Sequence, residues 1–356
     1  MKSFRLLLAA ALIVLLPTPA LAALDVVASS SSMGALVREI AGEQVDLTIL
    51  APPDRDIHYL QARPSMIRAL RGAELVVALG ADLEVGWLPL AITQAANPKV
   101  QPGKPGYFEA AAQVSLLDVG GAADRALGDV HPTGNPHVNM DPVRMAEVAT
   151  ALAERLAMLD DENATDYRAR AQAFAQRVES RVATWRDRLA SPPGVVAFHK
   201  DVTYLLDRLN IPLWGTLEPV PGVPPRASHI RTLVEELRGK PGLVLSTTYQ
   251  PEQAPSAFAD ALGWKQVRLP LEPPLDADAM ATWSTCNAGS MRWRPAVDVA
   301  APARCQGAGD RLHRTGHRPI VLFRRTRRGG GAVGCQRLRQ VDLIARHCQQ
   351  GADFQR

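Results

Sequence analysis

The segment from Glu162 to Ala190 runs for 29 residues without a proline or glycine, and it constrains the fold more than any other part of the sequence. At a rise of 1.5 Å per residue, a single helix of this length would extend on the order of 40 Å. Short apolar runs alternate with helical patterns on both sides of the segment, which is typical of parallel sheets covered by helices on both faces. We therefore predict an α/β protein in which one long helix joins two doubly wound α/β lobes.

The N-terminus differs in character from the rest of the chain. Residues 1–22 combine basic Lys2 and Arg5 with an apolar run and a small-residue A-x-A end. This combination is typical of a secretory signal peptide, and the apolar run is too short to cross a membrane. A buried N-terminal helix is the alternative. The predicted mature chain then divides into an N-terminal lobe, a helical linker that includes the long helix, and a C-terminal lobe, at residues 23–140, 141–190 and 191–284.

Residues 285–356 form a tail with a different composition. They hold 14 Arg, no Lys and 4 Asp, a net charge of +10, whereas residues 1–284 carry −6. The four cysteines of the chain all lie in this tail, at Cys286, Cys305, Cys335 and Cys348. The body therefore lacks a cysteine for a disulfide or a metal site, and its acidic charge argues against a nucleic-acid partner.

We interpret the tail as the product of a shifted reading frame. GC-rich codons for residues 334–343 (GCQRLRQVDL), read one base out of register, permit a G-x-x-x-x-G-K-[ST] phosphate-binding loop. We predict a frameshift near Thr285 that continues into a neighbouring ATPase gene, and a disordered tail. A basic disordered tail or a nucleic-acid arm that belongs to the normal protein are the alternatives.

Three histidines of the body lie at the ends of predicted elements. His58 follows the strand LTIL, His199 ends the strand VVAFH, and His137 lies between Pro136 and an Asp-Pro pair typical of a helix N-terminus. Ligands of open α/β proteins bind beyond the carboxyl ends of strands, and three neutral imidazoles suit Zn²⁺. We predict that these histidines converge in the cleft between the lobes and bind a metal. Three unrelated polar loop residues are the alternative.

Two further histidines of the body are not predicted to be ligands. His131 lies among Gly and Asp residues on a loop, where it is either a bystander or a residue that captures metal. His229 lies within the predicted helix ASHIRTLVEEL and is interpreted as a surface or capping residue.

Four stretches of the body carry a family resemblance: DIHYLQARPSMIRALRGAELVVALGADLEVGWL, NPHVNMDPVRM, AFHKDVTYLLDRLNIPLWGTLEPVPGVPPRASHI and YQPEQAPSAFADALGW. They resemble, in the same order, the ZnuA-like (cluster A-I) metal-binding receptors of ABC-type zinc and manganese importers. The resemblance spans about residues 24–275, and three of its motifs carry His58, His137 and His199. It implies a two-lobed fold with a rigid connecting helix and a metal held by these three histidines in the interlobe cleft.

The resemblance also implies a fourth ligand, which in this family is often a carboxylate after the last strand of the second lobe. Glu272 is the first choice here and Asp276 the second, and a water molecule could take the position instead. The sequence departs from the family in two respects. It lacks the long His- and Asp-rich loop of many zinc members, and the closing helix of the second lobe is lost to the tail.

The predicted function is that of a periplasmic solute-binding protein that captures Zn(II) as its transported ligand. The expected partner is an ABC-type membrane permease with its cytoplasmic ATPase, and we expect a monomer without enzymatic activity. Three imidazoles favour Zn²⁺ over Mn²⁺, which prefers oxygen ligands. The alternatives are a manganese receptor of the same family, and a metal chaperone or adhesin that acts without a transporter. A secreted zinc hydrolase is least favoured, because the sequence has no H-E-x-x-H pair.

Carboxylates near the three histidines in sequence are candidates to orient the imidazoles. Asp56, Asp141 and Asp201 qualify by position, although the latter two equally fit helix caps. Glu218, in LEPVPG, is interpreted as a structural residue.

Overall fold

The computed structural model describes residues 23–120, 131–188, 194–220 and 222–285. The predicted signal peptide at residues 1–22 and the predicted frameshifted tail beyond Thr285 lie outside the described residues. The described part of the chain contains two separate parallel sheets with helices packed on them, so the predicted fold class is confirmed.

The first sheet and its helices come from the N-terminal third of the chain. The strands are β1 (Leu24–Ala28), β2 (Val45–Ile49), β3 (Leu75–Ala78) and β4 (Tyr107–Glu109), and the helices are α1 (Ser31–Ala41), α2 (Pro64–Gly72) and α3 (Leu88–Ala95). The strands pair in the order β2-β1-β3-β4, all parallel. Every residue of β3 is buried, because a strand with helices on both faces is shielded from water on both sides.

Two helices connect the sheets: α4 (Pro142–Leu159) and α5 (Ala164–Arg188). Asp141 caps α4, since its side chain accepts a hydrogen bond from the amide of Val143, and Pro142 occupies the first helical position. α5 has 25 residues, so the prediction of a long helix in this segment is confirmed. α4 and α5 pack against each other, and α1 packs against both.

The second sheet repeats the topology of the first. Its strands are β5 (Gly194–Ala197), β6 (Leu213–Thr216), β7 (Gly242–Thr247) and β8 (Lys265–Leu269), and the helices are α6 (Thr203–Arg208), α7 (Ala227–Leu237), α8 (Gln253–Leu262) and α9 (Ala281–Thr285). These strands pair in the order β6-β5-β7-β8, again all parallel. Every residue of β5 and β7 is buried, as expected for the two central strands of such a sheet.

One hydrophobic core extends through both halves of the structure. Its members include Val77 in the first sheet, Phe174 on α5 and Leu245 in the second sheet. A smaller cluster around Phe258 covers the other face of the second sheet. Among the described residues, no helix is both long and apolar enough to cross a bilayer.

Candidate metal centre

The carboxyl ends of the two sheets face each other, and three histidines meet between them. His58 lies in a turn of 3₁₀ helix beyond β2, His137 directly precedes the turn that leads into α4, and His199 lies two residues beyond β5. One ring nitrogen from each lies within 4.8 Å of the others. The ring centroids of His137 are 5.3 Å from His58 and 5.5 Å from His199. The structure thus brings together the three histidines selected from the sequence.

Two of the three imidazoles are oriented by a carboxylate. Nδ1 of His58 lies 2.7 Å from Oδ1 of Asp56, and Nδ1 of His199 lies 2.9 Å from Oε2 of Glu218. A carboxylate oxygen accepts a hydrogen bond from Nδ1–H, and this leaves Nε2 as the nitrogen that each ring can offer to a metal. This arrangement, with a carboxylate behind the imidazole, is the usual support for a metal-ligating histidine.

His137 is the most deeply buried of the three. Its side chain is 1% exposed, and neither ring nitrogen has a hydrogen-bond partner among the described residues. Burial of a polar nitrogen without a hydrogen-bond partner costs free energy. A ring in this state therefore fits a position where a metal ion accepts the lone pair of one nitrogen. Burial lowers the pKa of His137 well below its usual 6.5, and the neighbouring histidines lower it further. The imidazole is therefore neutral and available as a ligand.

Neighbouring charged groups raise the pKa of His199 and lower that of Asp56. Burial alone would lower the pKa of His199, but the hydrogen bond to Glu218 and the charge of Asp201 outweigh it and raise the pKa. Burial would raise the pKa of the Asp56 carboxyl, but its contacts with His58 hold it below the usual value. Asp56 is therefore ionised, and it makes the imidazole of His58 a better electron donor.

Local backbone contacts position the two first-lobe histidines. The side chain of Asp56 also accepts a hydrogen bond from the amide of His58, and the indole of Trp87 donates to the carbonyl of Ile57. In the loop that precedes α4, the amide of His137 donates to the side-chain oxygen of Asn135. In both cases a side chain two residues earlier accepts the hydrogen bond of the histidine amide.

The carboxylates predicted as fourth ligands are not part of this three-histidine group. Glu272 is buried with both oxygens engaged at the N-terminus of α1, where it accepts from the amide and hydroxyl of Ser32, the hydroxyl of Ser31 and the amide group of Asn139. The free amides of a helix N-terminus attract a carboxylate, which explains this placement. Burial raises the pKa of Glu272 to about 7, although the hydrogen bonds from Ser32 oppose the shift. Asp276 is exposed and lines a surface groove.

The remaining histidines and carboxylates have distinct positions. The ring of His131 lies beside the site, with its centroid 5.4 Å from that of His58. His229 is bonded through Nε2 to the carbonyl of Thr216 and thereby ties α7 to β6. Asp201 is buried and accepts from the side-chain amide of Gln250, rather than orienting an imidazole.

The observed role of Glu218 differs from the one predicted from the sequence. It was interpreted as structural, whereas the structure places its carboxylate on the imidazole of His199. Glu218 lies two residues beyond the end of β6, at the same edge of the sheet as His199. Placement just after a strand, which pointed to His199, therefore also applied to this carboxylate.

The chain is similar in sequence to known proteins of metal uptake. The family profile described as zinc-uptake complex component A, periplasmic (ZnuA), matches residues 26–285. The metal ABC transporter substrate-binding lipoprotein ScbA of Streptococcus cristatus is 23% identical over 222 residues, which cover 60% of this chain and 68% of ScbA. The manganese ABC transporter substrate-binding lipoprotein PsaA of Streptococcus pneumoniae is also 23% identical, over 60% of this chain and 69% of its own length.

The fold is likewise shared with solved structures. The crystal structure of ZnuA superposes with a TM-score of 0.63 at 22% identity and covers 76% of this chain and 98% of ZnuA. The family match extends over well more than half of the sequence and includes all three histidines of the site. The chain therefore belongs to the family of periplasmic zinc-uptake complex component A, the substrate-binding proteins of metal ABC transporters.

Proposed function

We propose that this protein is an extracytoplasmic receptor that captures Zn(II) with His58, His137 and His199 and delivers it to an ABC-type importer. The observation that carries the proposal is the convergence of three ring nitrogens within 4.8 Å, two of them on rings oriented by carboxylates. Ligand nitrogens of a tetrahedral zinc site lie about 2.1 Å from the metal and hence about 3.4 Å apart. Small side-chain movements would bring the three nitrogens to that spacing.

The donor set supports Zn(II) rather than Mn(II) as the cargo. Nitrogen ligands bind divalent metals more tightly toward the end of the first transition row, and Mn²⁺ is the weakest binder of that series. Mn²⁺ also prefers oxygen ligands, yet the carboxylate of Glu272 is engaged at the N-terminus of α1. We propose that water completes the coordination of zinc, with Glu272 and Asp276 outside it.

A manganese receptor is the second candidate, because PsaA is named for manganese. Its donor set would need an oxygen ligand in addition to the three imidazoles. Glu272 could provide that oxygen only by breaking its hydrogen bonds with Ser32 and Asn139. The two candidates therefore differ in whether the Glu272 carboxylate leaves the helix terminus when metal binds.

The family assignment supports the proposed partners. Substrate-binding components of ABC transporters act with a membrane permease and its ATPase, and we propose the same for this chain as a periplasmic monomer. A receptor must release its metal, which suits a site closed by side chains of two lobes rather than one enclosed within a single lobe. We propose a binding role rather than an enzymatic one.

A competition titration tests the choice of metal. The purified protein is titrated with Zn²⁺ against a chromophoric chelator, and then with Mn²⁺ as the competitor. We expect about one Zn²⁺ per chain and a Kd for Mn²⁺ at least about 100-fold weaker. Glu272→Gln separates the candidates, since it should leave zinc affinity nearly unchanged and should abolish manganese binding if Glu272 is a manganese ligand. Equal or tighter binding of Mn²⁺ would refute the zinc assignment.

A further inference from the structure

The loop that carries His137 is bonded to the segment that carries His199. Asn135, whose side-chain oxygen accepts the amide of His137, donates from its side-chain nitrogen to the carbonyl of Lys200, at 3.0 Å. The hydroxyl of Tyr204 donates to the carbonyl of Asn135, at 2.6 Å. Both partners of Asn135 lie in the few residues that directly follow His199.

Tyr204 connects the two segments from a fully buried position. Its side chain is 0% exposed, and its hydroxyl also accepts a hydrogen bond from the amide of Leu117, at 3.0 Å. The guanidinium group of Arg144, on α4, lies over the tyrosine ring at 4.8 Å from its centroid. Tyr204 therefore contacts the first lobe through its hydroxyl and the linker helix α4 through its ring.

A second connection lies one helical turn further along. Arg208 follows Tyr204 by four residues, so the two side chains share a face of α6. Nε and Nη2 of Arg208 donate to Oδ1 and Oδ2 of Asp141, at 2.9 and 2.7 Å. Asp141 is 0% exposed and caps α4 just after the His137 turn, and the amide of Met140 in that turn donates to the carbonyl of His137. A bidentate pair of this kind, with a buried carboxylate and a partly buried guanidinium group, has a defined geometry and allows little sliding.

His58 is held in a different way. Its imidazole and amide are bonded to Asp56, and the adjoining carbonyl of Ile57 accepts from Trp87. All these partners belong to the first lobe. The hydrogen bonds that fix His58 therefore do not connect it to the segment of His199. Those around His137 do.

We propose that Tyr204 and Arg208 are positioning residues that hold His137 against His199 as a preassembled half of the metal site, which His58 then completes. The inference rests on the proposed metal-binding function and adds an order to the assembly of that site. Two imidazoles fixed in advance bind a metal more tightly because less conformational freedom is lost when the metal arrives.

Substitutions that loosen the connection test the proposal in the full-length protein. Arg208→Gln removes the bidentate pair, and Tyr204→Phe removes the hydroxyl but keeps the buried ring. Each should raise the Kd for Zn²⁺ by about tenfold, the usual effect of removing a residue that orients ligands. Arg170→Gln is the matched control, because Arg170 is also partly buried and bonded to carbonyl groups, at Ile40 and Ala41, but lies away from the site. It should lower Tm and change the Kd by less than about twofold.

A double-mutant cycle separates positioning from general destabilisation. In a His58→Ala background, His137 and His199 remain, so Arg208→Gln should again raise the Kd about tenfold. In a His137→Ala background the preassembled pair no longer exists, and the same change should cost less than about twofold. Equal losses in both backgrounds, or no loss in the wild-type background, would overturn the proposal. If Arg208→Gln fails to fold, Tyr204→Phe takes its place in the cycle. A wild-type protein that binds no zinc would refute the proposed function as well.

Discussion

At the scale of single residues, hydrogen bonds decide which ring nitrogen each histidine can offer to a metal. His58 and His199 place Nδ1 against Asp56 and Glu218, so that Nε2 remains for the metal. His137 has no such carboxylate, and its depressed pKa instead follows from burial among the other histidines. Two oriented rings and one deeply buried ring thus each present a ring nitrogen to the site, by different physical means.

The first prediction concerns two histidines that lie close together. His137→Ala should raise the Kd for Zn²⁺ more than about 100-fold, because loss of a ligand exceeds the effect of losing a residue that supports one. His131→Ala should change it little, because the ring of His131 lies beside His58 rather than within the three-histidine group. Isothermal titration of both variants measures the difference. Similar losses would mean that His131 is itself a ligand.

The second prediction concerns the carboxylate behind His199. Glu218→Gln preserves an acceptor for Nδ1 but removes the charge, and should raise the Kd for Zn²⁺ about tenfold. Glu154→Gln provides the control, because Glu154 is exposed and paired with Arg168 away from the site. The same chelator competition assay measures both variants. A Glu218→Gln protein with wild-type affinity would show that this carboxylate has no influence on the metal.

The third prediction concerns pH. A protonated imidazole has no lone pair for a metal, and the pKa of His199 is raised whereas that of His137 is lowered. As the pH falls, His199 therefore takes up a proton first, and the zinc-dependent rise in Tm shrinks. We expect this rise to be largest in alkaline solution and to shrink as the pH falls, starting above the usual histidine pKa of about 6.5 because the pKa of His199 is raised. Thermal melts with and without zinc from alkaline to acidic pH would contradict the assignment if the rise were constant.

At the scale of elements, the conformation of the His137 loop depends on the glycine that starts it. Gly134 has φ +129°, and a Cβ there would lie 2.7 Å from Cβ of Leu116 and 3.0 Å from the carbonyl oxygen of Leu117. Only glycine adopts this backbone conformation at low cost. The turn that places Asn135 and His137 therefore requires a residue without a side chain.

The fourth prediction follows from that requirement. Gly134→Ala should destabilise the fold by about 1–3 kcal/mol through backbone strain, and crowding by Leu116 should add to this cost and displace the loop. Gly239→Ala is the matched control, since Gly239 also has a positive φ, +79°, but has no atom within 4 Å of the added Cβ. Denaturant unfolding and zinc titration should show the larger loss of stability, and a loss of affinity, only for Gly134→Ala. Equal effects of the two substitutions would contradict this account of the loop.

The same elements show how far the sequence predicts the site. His58 and His199 could be found because each lies on the segment that follows the carboxyl end of a strand, and parallel strands present these ends at one edge of a sheet. The partner of Glu272 could not be found this way. Its contact with Ser32 joins residues 240 positions apart, and it depends on which helix N-terminus the second lobe meets. Strand position predicts the edge at which a side chain lies, but not the group that it contacts there.

At the scale of the whole molecule, the two halves share contacts on both sides of the site. On one side Tyr204 bonds to the first lobe and Arg208 to the cap of α4, and on the other Glu272 reaches the N-terminus of α1. The hydrophobic core is also continuous from one sheet to the other through α5. A continuous, close-packed core resists wide separation of the lobes. We therefore expect the metal to enter and leave through local movement near His58 rather than through wide opening of the cleft.

The most direct test of the central claim is an anomalous difference map at the zinc absorption edge, measured on crystals of the zinc-loaded protein. The account predicts a single zinc peak between the two lobes, about 2.1 Å from one nitrogen each of His58, His137 and His199. It also predicts that Glu272 remains at the N-terminus of α1. A zinc peak elsewhere, or one bound by the carboxylate of Glu272 in place of any of these imidazoles, would contradict it.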